Sequence, residues 1–242
     1  MGQAPLLTAG VFLVALLYSS VGHAGASGYI AVMALLGAAP ADIKPLALAL
    51  NILVAAIGTW QFRRAGWFSW RLFWPFAVLS VPMAFLGGRL GLPAHAFKVL
   101  TGAVLLFSAA RFAWDPEEAA RTRPPSIPVA AGSGAALGLL AGLTGTGGGI
   151  FLTPLMLLLG WAKTREAAAV SALFILVNSV AGLLGDVSAA RRFPPVACAL
   201  LTAAAAGGAL GSWLGSRRLE PKAIKRLLAA VLLVAGLKLV LA

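Results

Sequence analysis

The run Gly142-Leu143-Thr144-Gly145-Thr146-Gly147-Gly148-Gly149 decides how this chain has to be read. Four of the five residues from Gly145 to Gly149 are glycine, and each costs a helix interior roughly 1 kcal/mol relative to alanine. A helix arriving there must break. Yet the sequence on either side, 129–143 and 150–160, is almost wholly apolar. A second break, Gly22-His23-Ala24-Gly25-Ala26-Ser27-Gly28, lies between apolar segments 6–21 and 29–39.

The composition around these breaks is that of a membrane protein. Of 242 residues, 60% are hydrophobic and 11% charged, against about 45–50% and about 25% in a soluble domain. Further apolar segments run over 44–61, 72–88, 96–113, 164–185, 194–214 and 221–241, several of them near the 20 or so residues that a bilayer core about 30 Å thick demands. The net charge of +12 comes from Lys and Arg in short clusters between these segments, the placement of topogenic loop charges and not of a nucleic-acid surface. The first apolar segment lacks a basic leader and a cleavage site and reads as a membrane helix, not a signal peptide. Cys198, the one cysteine, allows no internal disulfide or metal cluster and reads as a small core residue.

Between the two sets of segments lies a polar stretch, 114–128, with Asp115, Glu117, Glu118, Arg121, Arg123 and four prolines. It divides the chain into a first transmembrane repeat (1–113), a linker, and a second repeat (129–242). Letters recur as well as lengths. An offset of 123 lays Ile52-Leu53-Val54 on Ile175-Leu176-Val177, Gly22 on Gly145 and Gly25 on Gly148; an offset of 127 lays Ala103-Val104-Leu105-Leu106 on Ala230-Val231-Leu232-Leu233. Together these indicate an internal duplication.

Basic residues then choose between two topologies, because cytoplasmic loops collect Lys and Arg. If each broken pair of segments crossed the membrane once, the basic residues would divide 9 against 10 and give no orientation. If each pair goes in and comes back, one face receives Arg63, Arg64, Arg71, Arg111, Arg121, Arg123, Lys163, Arg165, Arg217, Arg218, Lys222, Lys225 and Arg226. The other receives Lys44, Arg89, Lys98, Arg191, Arg192 and Lys238, a split of 13 to 6. The second arrangement makes the halves inverted repeats and puts both termini outside. The tryptophans 60, 67, 70, 74, 114, 161 and 213 mostly mark segment ends, where their rings favour the headgroup level.

Unwound backbone at membrane depth survives only where protein or a water-filled cavity covers it, so the two breaks are expected to face each other inside the protein. Each is followed by a segment whose first N–H groups are free and whose dipole is positive, a place for a small anion. Gly22, Gly25, Gly28, Gly145, Gly147, Gly148 and Gly149 would let an anion reach the backbone; Ser27, Thr144 and Thr146 would add hydroxyls; His23 could donate or carry a proton. Asn51 and Asn178, with Ser171 and Ser179, are the main polar residues inside segments and would line a pathway or bond to a neighbouring helix. Gly87, Gly88, Gly207, Gly208 and Gly211 read instead as sites of close helix packing. The seven acids lie in the linker or near helix ends, so no mid-membrane carboxylate relay or Na⁺ site is evident. No catalytic constellation, metal motif or nucleotide loop emerges either; neither an enzyme nor a cofactor is expected.

With its length, duplicated halves, the stretch Gly145-Thr146-Gly147-Gly148-Gly149-Ile150-Phe151-Leu152-Thr153-Pro154 and the basic segment Leu219–Leu227, the chain resembles the sulfite exporter TauE/SafE family of anion transporters over essentially its whole length. The first break departs from that pattern, with His23 and Ala26 where more glycine would stand. The resemblance implies transport of sulfite, thiosulfate or organosulfonates across the bacterial inner membrane. The resulting expectation is an all-α integral membrane protein of two homologous, inverted halves, each a Gly-broken helical hairpin followed by about three transmembrane helices. It would carry a sulfur-containing anion between the breaks, embedded in lipid, with a homo-oligomer admitted. A passive anion channel of the same architecture and a non-transporting assembly subunit are the alternatives.

Overall fold

The computed structural model describes residues 4–90, 122–186 and 196–218, with single positions between 99 and 114 and from 220 to 237. Eight helices fill the continuous stretches: α1 (Ala4–Ser20), α2 (Ala26–Leu35), α3 (Pro40–Arg64), α4 (Trp70–Arg89), α5 (Ile127–Thr144), α6 (Gly149–Leu158), α7 (Thr164–Gly185) and α8 (Ala197–Arg217). Five of them, α3, α4, α5, α7 and α8, are long and apolar enough to cross a membrane, whereas α1 and α2 are shorter. Half of the apolar segment 96–113, most of 221–241, residues 115–121 of the linker, and Lys98, Arg111, Arg121, Arg191, Arg192, Lys222, Lys225 and Lys238 lie outside the described residues.

Boundaries shift by a few residues for identifiable reasons. Helix α5 takes Ile127 and Pro128 from the expected linker, because a proline in the first turn gives up an N–H that has no partner there anyway. Ala26, Ser27 and Gly28 belong to α2 and Gly142 to Thr144 belong to α5, so both breaks are narrower than their glycine content suggests. Unwound backbone is confined to 21–25 and 145–148.

The helices recur at the 123-residue offset: Ala4 and Ile127 open α1 and α5, and Ala26 and Gly149 open α2 and α6. Three aligned pairs of glycines share the left-handed conformation, Gly22 with Gly145, Gly25 with Gly148, and Gly37 with Gly160. Helices α1 and α2 form an antiparallel hairpin, in which a Cβ added to Gly10 would meet Val32 and one added to Gly28 would meet Val14. The second hairpin is closed by the Arg123 N–H donating to the Gly160 carbonyl at 2.9 Å, which brings the start of α5 beside the end of α6.

Packing crosses the linker. Gly207, Gly211 and Gly215 of α8 lie in turn on Phe12, Leu16 and Ser20 of α1, and Gly134, Gly138 and Gly142 of α5 lie on Phe76, Ser80 and Ala84 of α4. Both pairs run parallel with backbone against backbone, the contact that small residues allow between membrane helices. Helices α3 and α7 run antiparallel: Lys44 pairs with Asp186, Leu48 lies by Gly182 and Gly58 by Ala172, and Asn51 bonds Ser179. Two apolar cores result. One is built mainly from α1, α2, α3 and α8, including Val11, Tyr18, Tyr29, Ile30, Leu50, Leu200 and Ala204. The other joins Phe73 and Phe76 of α4, Ala130 of α5, Leu152 and Met156 of α6, and Val170 and Phe174 of α7.

The surface is inverted relative to a water-soluble bundle. Leu6, Leu13, Val78, Leu184 and Leu210 point outward, while Asn51, Ser80, Ser171, Asn178, Ser179 and Ser212 are inside. That arrangement suits a lipid solvent, which is indifferent to exposed leucine and penalises an exposed polar group. Cys198 contradicts its expected place in the core. It is exposed on α8, where lipid accepts a small apolar thiol as readily as a core would. Antiparallel pairing of α3 with α7 gathers Arg63, Arg64, Arg71, Arg123, Lys163 and Arg165 at one end of the bundle. Arg64 lies 5.4 Å from the Trp60 ring centroid and Arg165 lies 5.1 Å from that of Trp67, cation–π pairs of the kind an interfacial belt provides.

Candidate functional site

Helix α1 ends because Gly22 turns left-handed (φ 80°), with the N–H groups of Gly22 and His23 donating back to the Ser19 and Tyr18 carbonyls at 3.1 and 3.0 Å. A Cβ on Gly22 would collide with Ala168 of α7, so this turn is seated on the other half of the chain. Gly25 (φ 104°) then starts α2. Two tyrosines frame the turn from inside the hairpin. Ser27 Oγ donates to the Tyr18 hydroxyl at 3.0 Å and the Tyr29 hydroxyl donates to the Ala24 carbonyl at 2.6 Å. Ser27 is therefore occupied within its own hairpin.

The second break is built from three left-handed glycines, Gly145, Gly147 and Gly148. Gly145 caps α5 and Gly148 precedes α6. Thr144 Oγ1 donates to the Leu140 carbonyl at 2.7 Å and lies 2.8 Å from Thr146 Oγ1. With the Thr144 proton committed to Leu140, Thr146 is the donor in that pair, so both threonine protons stay within the break. At neither break does a side chain cap the following helix, which leaves the first-turn N–H groups of α2 and α6 without a side-chain acceptor.

The two breaks meet, as unsatisfied backbone at membrane depth requires. His23 Nε2 lies 3.1 Å from the Gly149 carbonyl; a carbonyl can only accept, so Nε2 carries the proton in this contact. Asn51 of α3 joins the same place. Its Nδ2 donates to the Thr146 carbonyl at 3.2 Å and to Ser179 Oγ of α7 at 3.3 Å, while its Oδ1 is buried without a partner. Gly147 lies directly against this group: a Cβ there would come within 2.8 Å of Asn51 Nδ2, Ile175 Cγ2 and Ser179 Oγ alike. Gly149 lies against Ile175, and Gly148 against Phe174 and Ala141. Gly28 faces Val14 and Tyr18 inside the first hairpin.

His23, Asn51, Thr146, Gly147 and Gly149 are thus brought together, with Thr144, Gly145 and Gly148 completing the second loop. Asn178 is not linked to them by a hydrogen bond of its amide. It is fully buried, but its Nδ2 donates to Phe174 of its own helix at 2.8 Å. Sequence reasoning gave no site role to four contributors. Thr153 Oγ1 donates to Ser171 Oγ at 2.7 Å and ties α6 to α7. Tyr18 and Tyr29, the two tyrosines of the chain, frame the first break and their spacing around it was a signal. Lys44, expected at the start of the apolar segment 44–61 and counted there only as a charge of one face, is a helical residue whose stem covers Gly145.

Replacing Asn51 by leucine would strand the Thr146 carbonyl and the Ser179 hydroxyl together, a loss of about 1–3 kcal/mol. The expected reading is a clear fall in thermal unfolding temperature of the purified protein in detergent. An unchanged melting curve would show that Asn51 does not hold the break in place.

Two helical hairpins whose unwound tips meet inside an all-helical bundle, with leucines on its surface and a few hydroxyl and amide side chains buried among its apolar cores, define a multi-pass membrane protein. The family model for the sulfite exporter TauE/SafE matches residues 7–239, and the chain belongs to that family. It is also 43% identical over 233 residues, 94% of either chain, to "Probable membrane transporter protein y4hK" of Sinorhizobium fredii (strain NBRC 101917 / NGR234). No solved structure matches it. The protein is a membrane transporter of the TauE/SafE type.

Proposed function

We propose that the chain is a secondary transporter that moves a small sulfur-containing anion, sulfite, thiosulfate or an organosulfonate, across the bacterial inner membrane, bound where the two breaks meet. The observation that carries this reading is the contact of His23 with Gly149. It joins two uncapped helix starts, whose N–H groups and dipoles favour negative charge. Around them the backbone is glycine, so a tetrahedral or pyramidal oxyanion can approach it closely.

The halves are read as inverted repeats, with α3 and α7 as their corresponding antiparallel members. Basic clusters at the Arg63–Lys163 end face the cytoplasm and both termini face the periplasm. Alternating access would then move the two apolar cores against each other. These are not the sequence halves, since α1 is seated on α8 and α4 on α5. The sliding surface is α3 against α7, and both breaks lie on it.

Proteoliposomes and radiolabelled sulfite, thiosulfate and sulfate test the reading, with and without a pH gradient. Saturable flux of one sulfur anion is expected. Flux that rises linearly with concentration would favour a channel. Absence of flux from well-folded protein would overturn the transport of these anions and bring forward an assembly role. A response to the pH gradient that disappears in His23→Gln would give His23 the proton.

A further inference from the structure

Lys44 and Asp186 form the one ion pair among the described residues, and the proposed transport leaves it without a role. Nζ of Lys44 lies 3.7 Å from Asp186 Oδ2, with side chains only 14% and 9% exposed, and donates to the Gly88 carbonyl at 3.2 Å. The stem of the same lysine covers the second break, where a Cβ on Gly145 would come within 2.9 Å of Lys44 Cγ. Four elements therefore meet at one lysine: the start of α3 carries it, the ends of α4 and α7 hold its ammonium, and the first residue of the Gly145 loop lies against its stem. Ionisable groups so enclosed in a membrane bundle are costly and mark solute paths more often than they stabilise.

Among the described residues, the opposite end of the bundle shows no counterpart of this pair. The 123-residue offset that lays Gly145 on Gly22 lays Lys44 on Ala167 and Asp186 on Arg63. Gly22 is covered by Ala168, and the antiparallel register of α3 and α7 puts Arg63, which is exposed, opposite Ala167. The breaks are alike in backbone, and among the described residues a cation sits over the second of them alone. The pair is also loose: charge-assisted contacts of this kind close to about 2.7–2.9 Å, so the ammonium can exchange one anionic partner for another.

We propose that Lys44 admits the transported anion on the face where α3 begins, the anion displacing Asp186 from the ammonium and so uncovering the Gly145 loop. Asp186 is the competitor that keeps this mouth shut until an anion arrives. The inference rests on the anion-transport reading above, and wild-type flux tests that reading separately.

Sulfite flux is measured in wild type, Lys44→Gln and Asp186→Asn, with anion presented in turn from each side of the membrane. Lys44→Gln should raise the apparent KM about tenfold, and Asp186→Asn should lower it severalfold, both only when sulfite is presented on the Lys44 face. Effects of opposite sign on one face are what competition for the ammonium requires. A purely structural ion pair predicts loss in both variants, from either face, with lowered thermal stability in detergent, and that outcome would overturn the proposal. If Lys44→Gln fails to fold, Asp186→Asn decides alone: an apparent KM unchanged or raised would overturn the proposal as well. If wild type carries no anion, the transport reading falls first and this inference with it.

Discussion

Gly147→Ala is expected to lose anion flux by about tenfold or more while the protein still inserts and purifies as a single species. The backbone at this position is left-handed (φ 73°), which costs a residue with a Cβ roughly 1–2 kcal/mol. The added methyl group would also lie 2.8 Å from Asn51 Nδ2, Ile175 Cγ2 and Ser179 Oγ, closer than real contacts permit. Something must move, and the weakest restraint nearby is the pair of Asn51 hydrogen bonds at 3.2 and 3.3 Å. The loop would then leave the place where the breaks meet. A matched control separates strain from position, since Gly66 has a similar φ of 81° with open space around it. Gly66→Ala should keep flux. Equal flux in Gly147→Ala and wild type would remove the second break from the pathway.

The other large effect is expected from the parallel helix pairs. Gly138→Leu on α5 and Gly211→Leu on α8 should each prevent recovery of monodisperse protein from detergent, because the new Cβ would collide with the backbone of Ser80 or of Leu16. Overpacking usually costs about 1–3 kcal/mol when side chains can yield; here the obstacle is main chain on a helix that is itself embedded in a core, so the helices must separate. Gly132, on the same helix as Gly138, has nothing within 4 Å of an added Cβ. Gly132→Leu should therefore behave as wild type in size-exclusion chromatography. If Gly138→Leu and Gly132→Leu behave alike, α4 and α5 are not packed through their backbones.

Much of this was legible in the sequence. Apolar length and the scarcity of charge determined that the chain spans a membrane as helices, since lipid admits only helices and closed barrels and continuous apolar runs near 20 residues suit a helix where a barrel strand would be about 10 residues of alternating character. Glycine density placed both breaks, although the helices keep Ala26–Gly28 and Gly142–Thr144: glycine permits a left-handed turn and does not compel one, so composition overstates the length of a break. The glycines at 207, 208 and 211 announced close packing, but not against which helix.

The sequence by itself determined the membrane environment, the helical segments and the existence of two matching broken hairpins, all of which follow from local chemistry and period. Only the tertiary structure decided that the hairpins touch through His23 and Gly149, that α1 belongs with α8 and α4 with α5, and that Lys44 reaches Asp186. The physical reason is the solvent. Lipid is as apolar as leucine and gives helices no amphipathic pattern from which to read their partners, so partner choice depends on backbone approach and on a few buried polar groups whose geometry exists only once the bundle has formed.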